Sequence, residues 1–302
     1  MSNIPIFLSS DDNYAPFVAT TIASICDNTK SFCEFYVLDG GIREENKGKL
    51  CELKNQFDNF SIEFIKINVE KEFRNIEYVN AEKRITLSTY NRFLIPKIKP
   101  ELKKVLYLDV DIVVLGDIEE LFDEPLDEYS LGAVWNSSRK NFNTDTKELL
   151  ELSPDYKYFN AGVLLVNSKK WREQDVIMQI FNLEKKYRGK ILHADETLLN
   201  KLFDNDYKIL PLKYNYLDFD TFNNKQGCVV IRHFATNVKP WDIHPELVTT
   251  GLMDNYQDFW RYASKTPFYN QILEHAQKKK TEETIRQLRI QNMILKAKSK
   301  NV

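Results

Sequence analysis

The chain has 302 residues, 43% of them hydrophobic and 28% charged, with nine glycines and ten prolines. That composition excludes a disordered chain or a flexible array and leaves room for one large α/β domain with an appendage. The net charge of −2 is divided unevenly: 276–302 hold eight Lys/Arg against two Glu, so 1–275 hold 34 basic and 42 acidic residues. An acidic body argues against nucleic acid as a partner.

Cys26, Cys33, Cys51 and Cys228 show no CxxC pair and no disulfide-framework spacing, which predicts reduced thiols. Met1-Ser2-Asn3-Ile4-Pro5 lacks the features of a secretory signal, and no run approaches the roughly 20 apolar residues of a spanning helix. A cytoplasmic body is the expectation.

In chain order, Ile4–Leu8 is a short apolar run that ends at the polar turn Ser9-Ser10-Asp11-Asp12-Asn13. Phe17–Ile25 reads as a helix with Thr20, Thr21 and Ser24 interleaved. Glu34–Leu38 reads as a strand closed by Asp39-Gly40-Gly41, and Glu44–Gln56 as a charged helix. Phe60–Ile67 follows as a third strand. Val105–Leu108, Val163–Val166 and Val229–His233 are later strands, and Tyr256–Tyr262 is an aromatic helix. Strands alternating with helices predict a mostly parallel sheet covered on both faces, with ligands beyond the carboxyl ends of the strands.

Val105-Leu106-Tyr107-Leu108-Asp109-Val110-Asp111 is the most informative segment. A buried strand ends in two carboxylates one residue apart, and their desolvation and repulsion call for a cation. Hard oxygen ligands suit Mg²⁺ or Mn²⁺, with diphosphate oxygens completing the shell. A solvated acidic turn would give the same string. So would a haloacid-dehalogenase-type phosphatase, but its motif stands near the chain start and needs a second acidic pair after Gly, which Asp204-Asn205-Asp206 lacks. Farther on, His233 follows an apolar run and stands six residues before Lys239. It offers a nitrogen that Mn²⁺ accepts more readily than Mg²⁺, and Lys239 offers a point charge for phosphate.

With these motifs in order, residues 4–241 resemble the retaining glycosyltransferase family 8, which includes bacterial lipopolysaccharide galactosyl- and glucosyltransferases and the glycogenins. The resemblance implies a GT-A type fold, a Rossmann-like nucleotide-binding mixed sheet flanked by helices, with a helical basic C-terminal tail. It implies a catalytic domain over 1–250 and a helical segment over 251–302. It also implies transfer of galactose or glucose from a UDP-sugar to a glycan or lipid-linked glycan acceptor.

Residue by residue, Phe7-Leu8-Ser9-Ser10-Asp11-Asp12-Asn13-Tyr14 is similar to the family's opening, so Asp11 and Asn13 are expected to contact uracil and ribose. Ser88-Thr89-Tyr90-Asn91-Arg92 resembles its arginine-bearing helix, with Arg92 on the diphosphate or sugar. Asp109 and Asp111, with Val110 between them in the donor site, match the metal motif, and His233 the third metal ligand. Phe159-Asn160-Ala161-Gly162-Val163 resembles the sugar-binding turn through Asn160. His193-Ala194-Asp195-Glu196 stands at an Asp-Gln pair whose aspartate, here Asp195, binds sugar hydroxyls. Lys239 matches the diphosphate contact.

Three positions depart from the pattern: Thr236 replaces a glycine, Asn136 an aspartate near the sugar, and Glu196 the usual glutamine. Glu196 opens a double-displacement route through a protein carboxylate beside front-face attack. A sugar nucleotidyltransferase is the alternative enzyme, although its glycine-rich basic phosphate loop has no counterpart at Ser9–Asn13. A non-catalytic nucleotide-sugar binder is the third class. The basic stretch 276–302 reads either as a solvated helix or as one lying on the anionic inner face of the cytoplasmic membrane.

Overall fold

In the computed structural model of the chain, the described residues are 3–73, 87–136, 148, 150–153, 155–188, 191, 194–217, 229–248 and 254–299. Cys228 and His193 lie outside them. Three segments form parallel strands: β1 (Ile4–Ser10), β2 (Cys33–Asp39) and the alternating, half-exposed β3 (Phe60–Lys66), with helices α1 (Ala15–Asn28) and α2 (Glu44–Glu52) in the crossovers. β4 (Lys104–Leu108) joins β1 in parallel. β5 (Ile112–Val114) follows after a three-residue link, then β6 (Leu131–Trp135) and β7 (Phe159–Asn167). Helices α3 (Val176–Lys186) and α4 (Ala194–Leu202) lead to β8 (Tyr207–Leu210), β9 (Tyr216–Leu217) and β10 (Ile231–His233). The chain ends in helices α5 (Asp254–Ala263) and α6 (Tyr269–Ser299).

Seven strands form one sheet in the order β3-β2-β1-β4-β7-β6-β8, and β5-β10-β9 form a second. In the large sheet β7 runs antiparallel to both β4 and β6, while the other four pairings are parallel, so the sheet is mixed with a parallel majority. At the centre of the sheet both faces are covered, which explains the apolar runs of β1 and β4. Ile4, Ile6, Leu8, Leu106 and Leu108 enter one core cluster, and Phe7, Val105 and Tyr107 the other.

α1 is buried from Ala15 to Cys26 because it lies between the large sheet and the C-terminal helices. Its hydroxyls meet backbone groups that would otherwise be stranded. Thr21 Oγ1 donates to the carbonyls of Val110 (3.3 Å) and Ile112 (3.1 Å), and Ser24 Oγ accepts from Val114 N at 2.9 Å. The polar residues on this helix therefore hold the Asp109–Val114 segment in place. Val110 itself is a core residue, 9% exposed.

The C-terminal helices begin as part of the same core. Phe259, Trp260, Tyr262, Phe268, Ile272 and Ala276 are buried in the α1 cluster, and Asn28 Nδ2 bonds Tyr262 Oη at 2.7 Å. Beyond Ala276 the character of α6 changes: from Gln277 to Gln287 it is exposed, apart from a partly covered Lys280. At a 1.5 Å rise, its 31 residues span about 46 Å. Among the described residues, no helix is long and apolar enough to cross a membrane. The described cysteines are free thiols, and burial pushes those of Cys26 and Cys33 well up.

The end of β2 shows how the loops above the sheet are held. Asp39 Oδ1 accepts N–H from Gly41 (2.8 Å) and Ile42 (2.6 Å), around a turn in which Gly41 has φ of +119°, and Oδ2 meets Lys47 Nζ at 2.8 Å. Burial raises the carboxyl pKa, but the Lys47 ammonium and the two amides outweigh it and hold it below its ordinary value. A depressed carboxyl stabilises the fold above the unfolded pKa, about 3.9, and loses that contribution as pH falls through the folded one. Asp39→Asn should therefore cost about 1–3 kcal/mol near neutral pH. Urea titrations should show the gap closing on acidification; a gap that widens toward acid would contradict this account.

Candidate active site

The link between β4 and β5 carries Asp109 and Asp111 from one sheet to the other. Asp109 N donates to Gly162 O at 2.8 Å, continuing the β4–β7 ladder. Asp111 O accepts from Phe234 N at 2.9 Å, and His233 pairs with Ile112 across β10 and β5. The two ladders fix the relative positions of all three side chains. Ligand atoms of Asp109, Asp111 and His233 lie within 4.8 Å of one another, although 122 residues separate Asp111 from His233.

Cations already surround the acidic pair. Asp109 Oδ1 accepts from Tyr107 Oη (3.1 Å) and meets Arg92 Nη2 (3.0 Å). Arg92, 3% exposed, also reaches Asp195 Oδ2 at 3.0 Å and the Ala161 carbonyl at 2.6 Å, with its guanidinium 4.2 Å above the Tyr107 ring. It lies on a 3₁₀ helix, Leu87–Leu94. Burial opposes its charge, yet Asp195 and Asp109 keep it firmly protonated. Asp195 is pushed up chiefly by burial, against the pull of Arg92. Asp111 meets Lys239 Nζ at 2.7 Å and His233 Nε2 at 3.2 Å. Despite burial, Lys239 and His233 hold its carboxyl far below the usual range. Burial lowers the His233 pKa, but Asp111 more than compensates and raises it.

The sugar-side candidates adjoin this cluster. Asn160 Nδ2 donates to Glu196 Oε2 at 2.9 Å, and Ala161 N donates to the same oxygen at 3.1 Å. Asn160 Oδ1 accepts from Gly162 N (3.0 Å) and from Asn215 Nδ2 (2.8 Å), while Asn215 Oδ1 lies 2.9 Å from His233 Nδ1. Asn215 and Tyr107 were not among the sequence candidates. Tyr107 is legible only as a core residue of an apolar strand, and nothing in the sequence around Asn215 signals its place.

At the β1 edge, Asp11 Oδ1 accepts the N–H groups of Asn13 (2.9 Å) and Tyr14 (3.2 Å), closing the turn before α1. Asn13 and Lys239 both line a cleft of 960 Å³, with Tyr14 and Trp241 beside them. Trp241 stacks on Phe17 with centroids 3.7 Å apart, anchoring the loop that carries Lys239. Thr236 Oγ1 donates to the Val238 carbonyl within that loop at 3.1 Å, and Asn136 is buried with its N–H on Tyr158 O at 2.9 Å. Asp204 and Asp206 instead tie loops together through Ser153, Ser130 and Lys170, away from the acidic pair.

Two carboxylates and an imidazole suit Mn²⁺ in donor type. Gly162 packs directly against two of these ligands: a Cβ there would stand 2.3 Å from His233 Cε1 and 2.9 Å from Asp109 Oδ2. Only glycine lets β7 pass this close behind the cluster. Gly162→Ala should displace His233 and weaken Mn²⁺ binding at least tenfold, by calorimetry, in a protein that still folds. Wild-type Mn²⁺ affinity in that variant would show that the close approach is unrelated to the site.

Comparison with known proteins gives a consistent result. The model of glycosyl transferase family 8 matches residues 5–244. A Haemophilus influenzae protein assigned as a glycosyltransferase is 31% identical over 243 residues, covering 78% of this chain and 72% of that one. Glycosyltransferase GlyA of Streptococcus pneumoniae is 28% identical over 78% of this chain, which spans only 32% of the length of GlyA. Among solved structures, the galactosyltransferase LgtC in complex with donor and acceptor sugar analogues superposes with a TM-score of 0.76 at 26% identity, covering 87% of this chain and 96% of LgtC. The mixed sheet with flanking helices is thus of the GT-A type, and the chain belongs to glycosyl transferase family 8.

Proposed function

We propose that the chain transfers a hexose, galactose or glucose, from a UDP-sugar to a glycan acceptor such as lipopolysaccharide or another surface glycan, with retention of configuration. The observation that carries this reading is the convergence of Asp109, Asp111 and His233 within 4.8 Å, with Lys239 on one carboxylate and Arg92 on the other. These three residues would hold Mn²⁺, with Mg²⁺ as a weaker substitute. Bound there, the ion would supply electrostatic stabilisation for the departing UDP diphosphate.

The remaining roles fall to the side chains. Asn13, at the cleft beside Tyr14, takes the ribose and uracil end of the donor, and Asp11 shapes the turn that presents it. Lys239 adds a positive charge to the departing phosphate. Asp195, oriented by Arg92, binds sugar hydroxyls together with Asn160. The acceptor hydroxyl attacks C1 on the face from which UDP leaves: its O–C1 bond forms, the C1–O bond to UDP breaks, and its proton passes to the leaving phosphate oxygen. Two donors on Glu196 Oε2 lower the nucleophilicity of that atom, which favours front-face attack over double displacement through Glu196.

A sugar nucleotidyltransferase fits less well, because the turn after β1 is acidic and glycine-free. A non-catalytic binder differs in releasing no UDP. A panel of UDP-sugars assayed for UDP release with Mn²⁺ should single out one hexose donor. Asp109→Ala should lower that release by at least 10³-fold, since about 4 kcal/mol of transition-state stabilisation is lost with the ion. Full activity in excess chelator would contradict metal-dependent transfer.

A second reading concerns the appendage. Residues 1–250 are proposed as the catalytic domain and 251–302 as a helical segment whose distal part meets the inner face of the cytoplasmic membrane. Supporting this are the exposure of α6 from Gln277 to Gln287, apart from a partly covered Lys280, and the basic excess of 276–302 in the sequence. In flotation assays with anionic vesicles, full-length protein should float and a 1–280 truncation should remain at the bottom. Equal flotation of the two would remove the tail from membrane attachment.

A further inference from the structure

The polar groups behind the acidic cluster form a chain whose direction is fixed at its far end. Backbone N–H groups can only donate. Gly162 N faces one side-chain atom of Asn160 at 3.0 Å, so that atom is the amide oxygen, and Asn160 Nδ2 is turned to Glu196. Ala161 N reaches the same Glu196 oxygen, consistent with an acceptor there. The Asn215 atom 2.8 Å from Asn160 Oδ1 must then be its amide nitrogen. Asn215 therefore presents Oδ1 to His233, 2.9 Å from Nδ1, and that ring nitrogen must carry the proton. Nε2 is left facing Asp111 at 3.2 Å. Asn215 is 1% exposed and His233 3%, so water does not compete for these bonds.

We infer that Asn215 is a positioning residue: it holds His233 with Nδ1 protonated and Nε2 turned to the cation site, and it links that ligand through Asn160 to Glu196. The inference rests on the metal-dependent reading proposed above. A ligating imidazole needs a lone pair on one nitrogen and a partner for the other, and the partner selects which nitrogen binds. The same amide that selects Nε2 donates its hydrogen toward the sugar-side residues. A shift of the metal ligand is thereby transmitted, through two amides, to the carboxylate beside the sugar.

Two substitutions separate the acceptor from the donor. Asn215→Asp keeps an acceptor for His233 Nδ1–H but turns a second acceptor toward Asn160 Oδ1, whereas Asn215→Leu removes both groups. Mn²⁺ affinity measured by EPR without donor should weaken roughly tenfold or more in Asn215→Leu and should hold or tighten in Asn215→Asp. UDP release should fall in both, because both break the link to Asn160. A residue that merely fills space would not split metal affinity from turnover in this way.

In wild-type protein loaded with Zn²⁺, long-range ¹H–¹⁵N spectra should show His233 bound through Nε2 with its proton on Nδ1, a measurement that needs no variant. Ligation through Nδ1, or Asn215→Leu with wild-type Mn²⁺ affinity, overturns the inference while leaving metal-dependent transfer intact. Wild-type protein that binds no divalent cation overturns both.

Discussion

Two carboxylates separated by one residue, held where the chain crosses between two sheets, impose the constraint around which the rest of this molecule is arranged. Asp109 belongs by its backbone to the β4–β7 ladder and Asp111 to the β5–β10 ladder. Neither can retreat to solvent without breaking a ladder bond. Their repulsion must be neutralised in place, and burial makes an uncompensated charge costly. Arg92 and Lys239 supply compensation from opposite sides, and His233 is drawn to its protonated form by Asp111. On the proposed reading, a divalent cation takes over this task and frees the Lys239 ammonium for the donor diphosphate.

The same constraint explains features distant from the acidic pair. α1 is buried almost all round yet carries hydroxyls, because the crossing segment leaves carbonyls and an N–H that the sheets do not satisfy. Trp241 stacks on Phe17 because Lys239 lies on a loop that needs an apolar anchor at its end. The C-terminal helices cover that anchor with Phe259 and continue the core to Ala276. Their first part therefore serves the site indirectly, while α6 from Gln277 to Gln287 is largely exposed, with Lys280 paired to Glu246 at 3.1 Å.

Much of this was legible in the sequence. Apolar runs located β1, β2 and β4, since strands buried on both faces are largely apolar, and alternation of apolar and polar residues located the half-exposed β3. The acidic pair, His233 and Lys239 were legible because their chemistry is unusual at the ends of such runs. What escaped is what depends on pairing across long separations. β7 looks like any buried strand, and its antiparallel direction leaves no mark in its composition. Of the three-stranded sheet, β10 registered within the run Val229–His233, whereas β5 and β9, segments of three and two residues, are too short for periodicity to register. Asn215 is one asparagine among many until β9 sets it behind His233. Gly162 was visible as part of a turn, but the need for glycine comes from the His233 ring on another strand.

Glu196 shows how a single atom's change alters a site without altering its shape. A glutamine at this position would present its carbonyl oxygen to Asn160 Nδ2 and Ala161 N and accept the same two bonds that Glu196 Oε2 accepts. Geometry therefore does not distinguish the two residues; charge does. With Glu196, four carboxylates surround a site that holds the two permanent cations Arg92 and Lys239. On the proposed reading, positive charge develops at the anomeric carbon as UDP departs, and a fixed anion nearby stabilises it. On that same reading Glu196 would act in front-face transfer as an electrostatic partner to the oxocarbenium-like transition state, held in place by its bonds from Asn160 and Ala161.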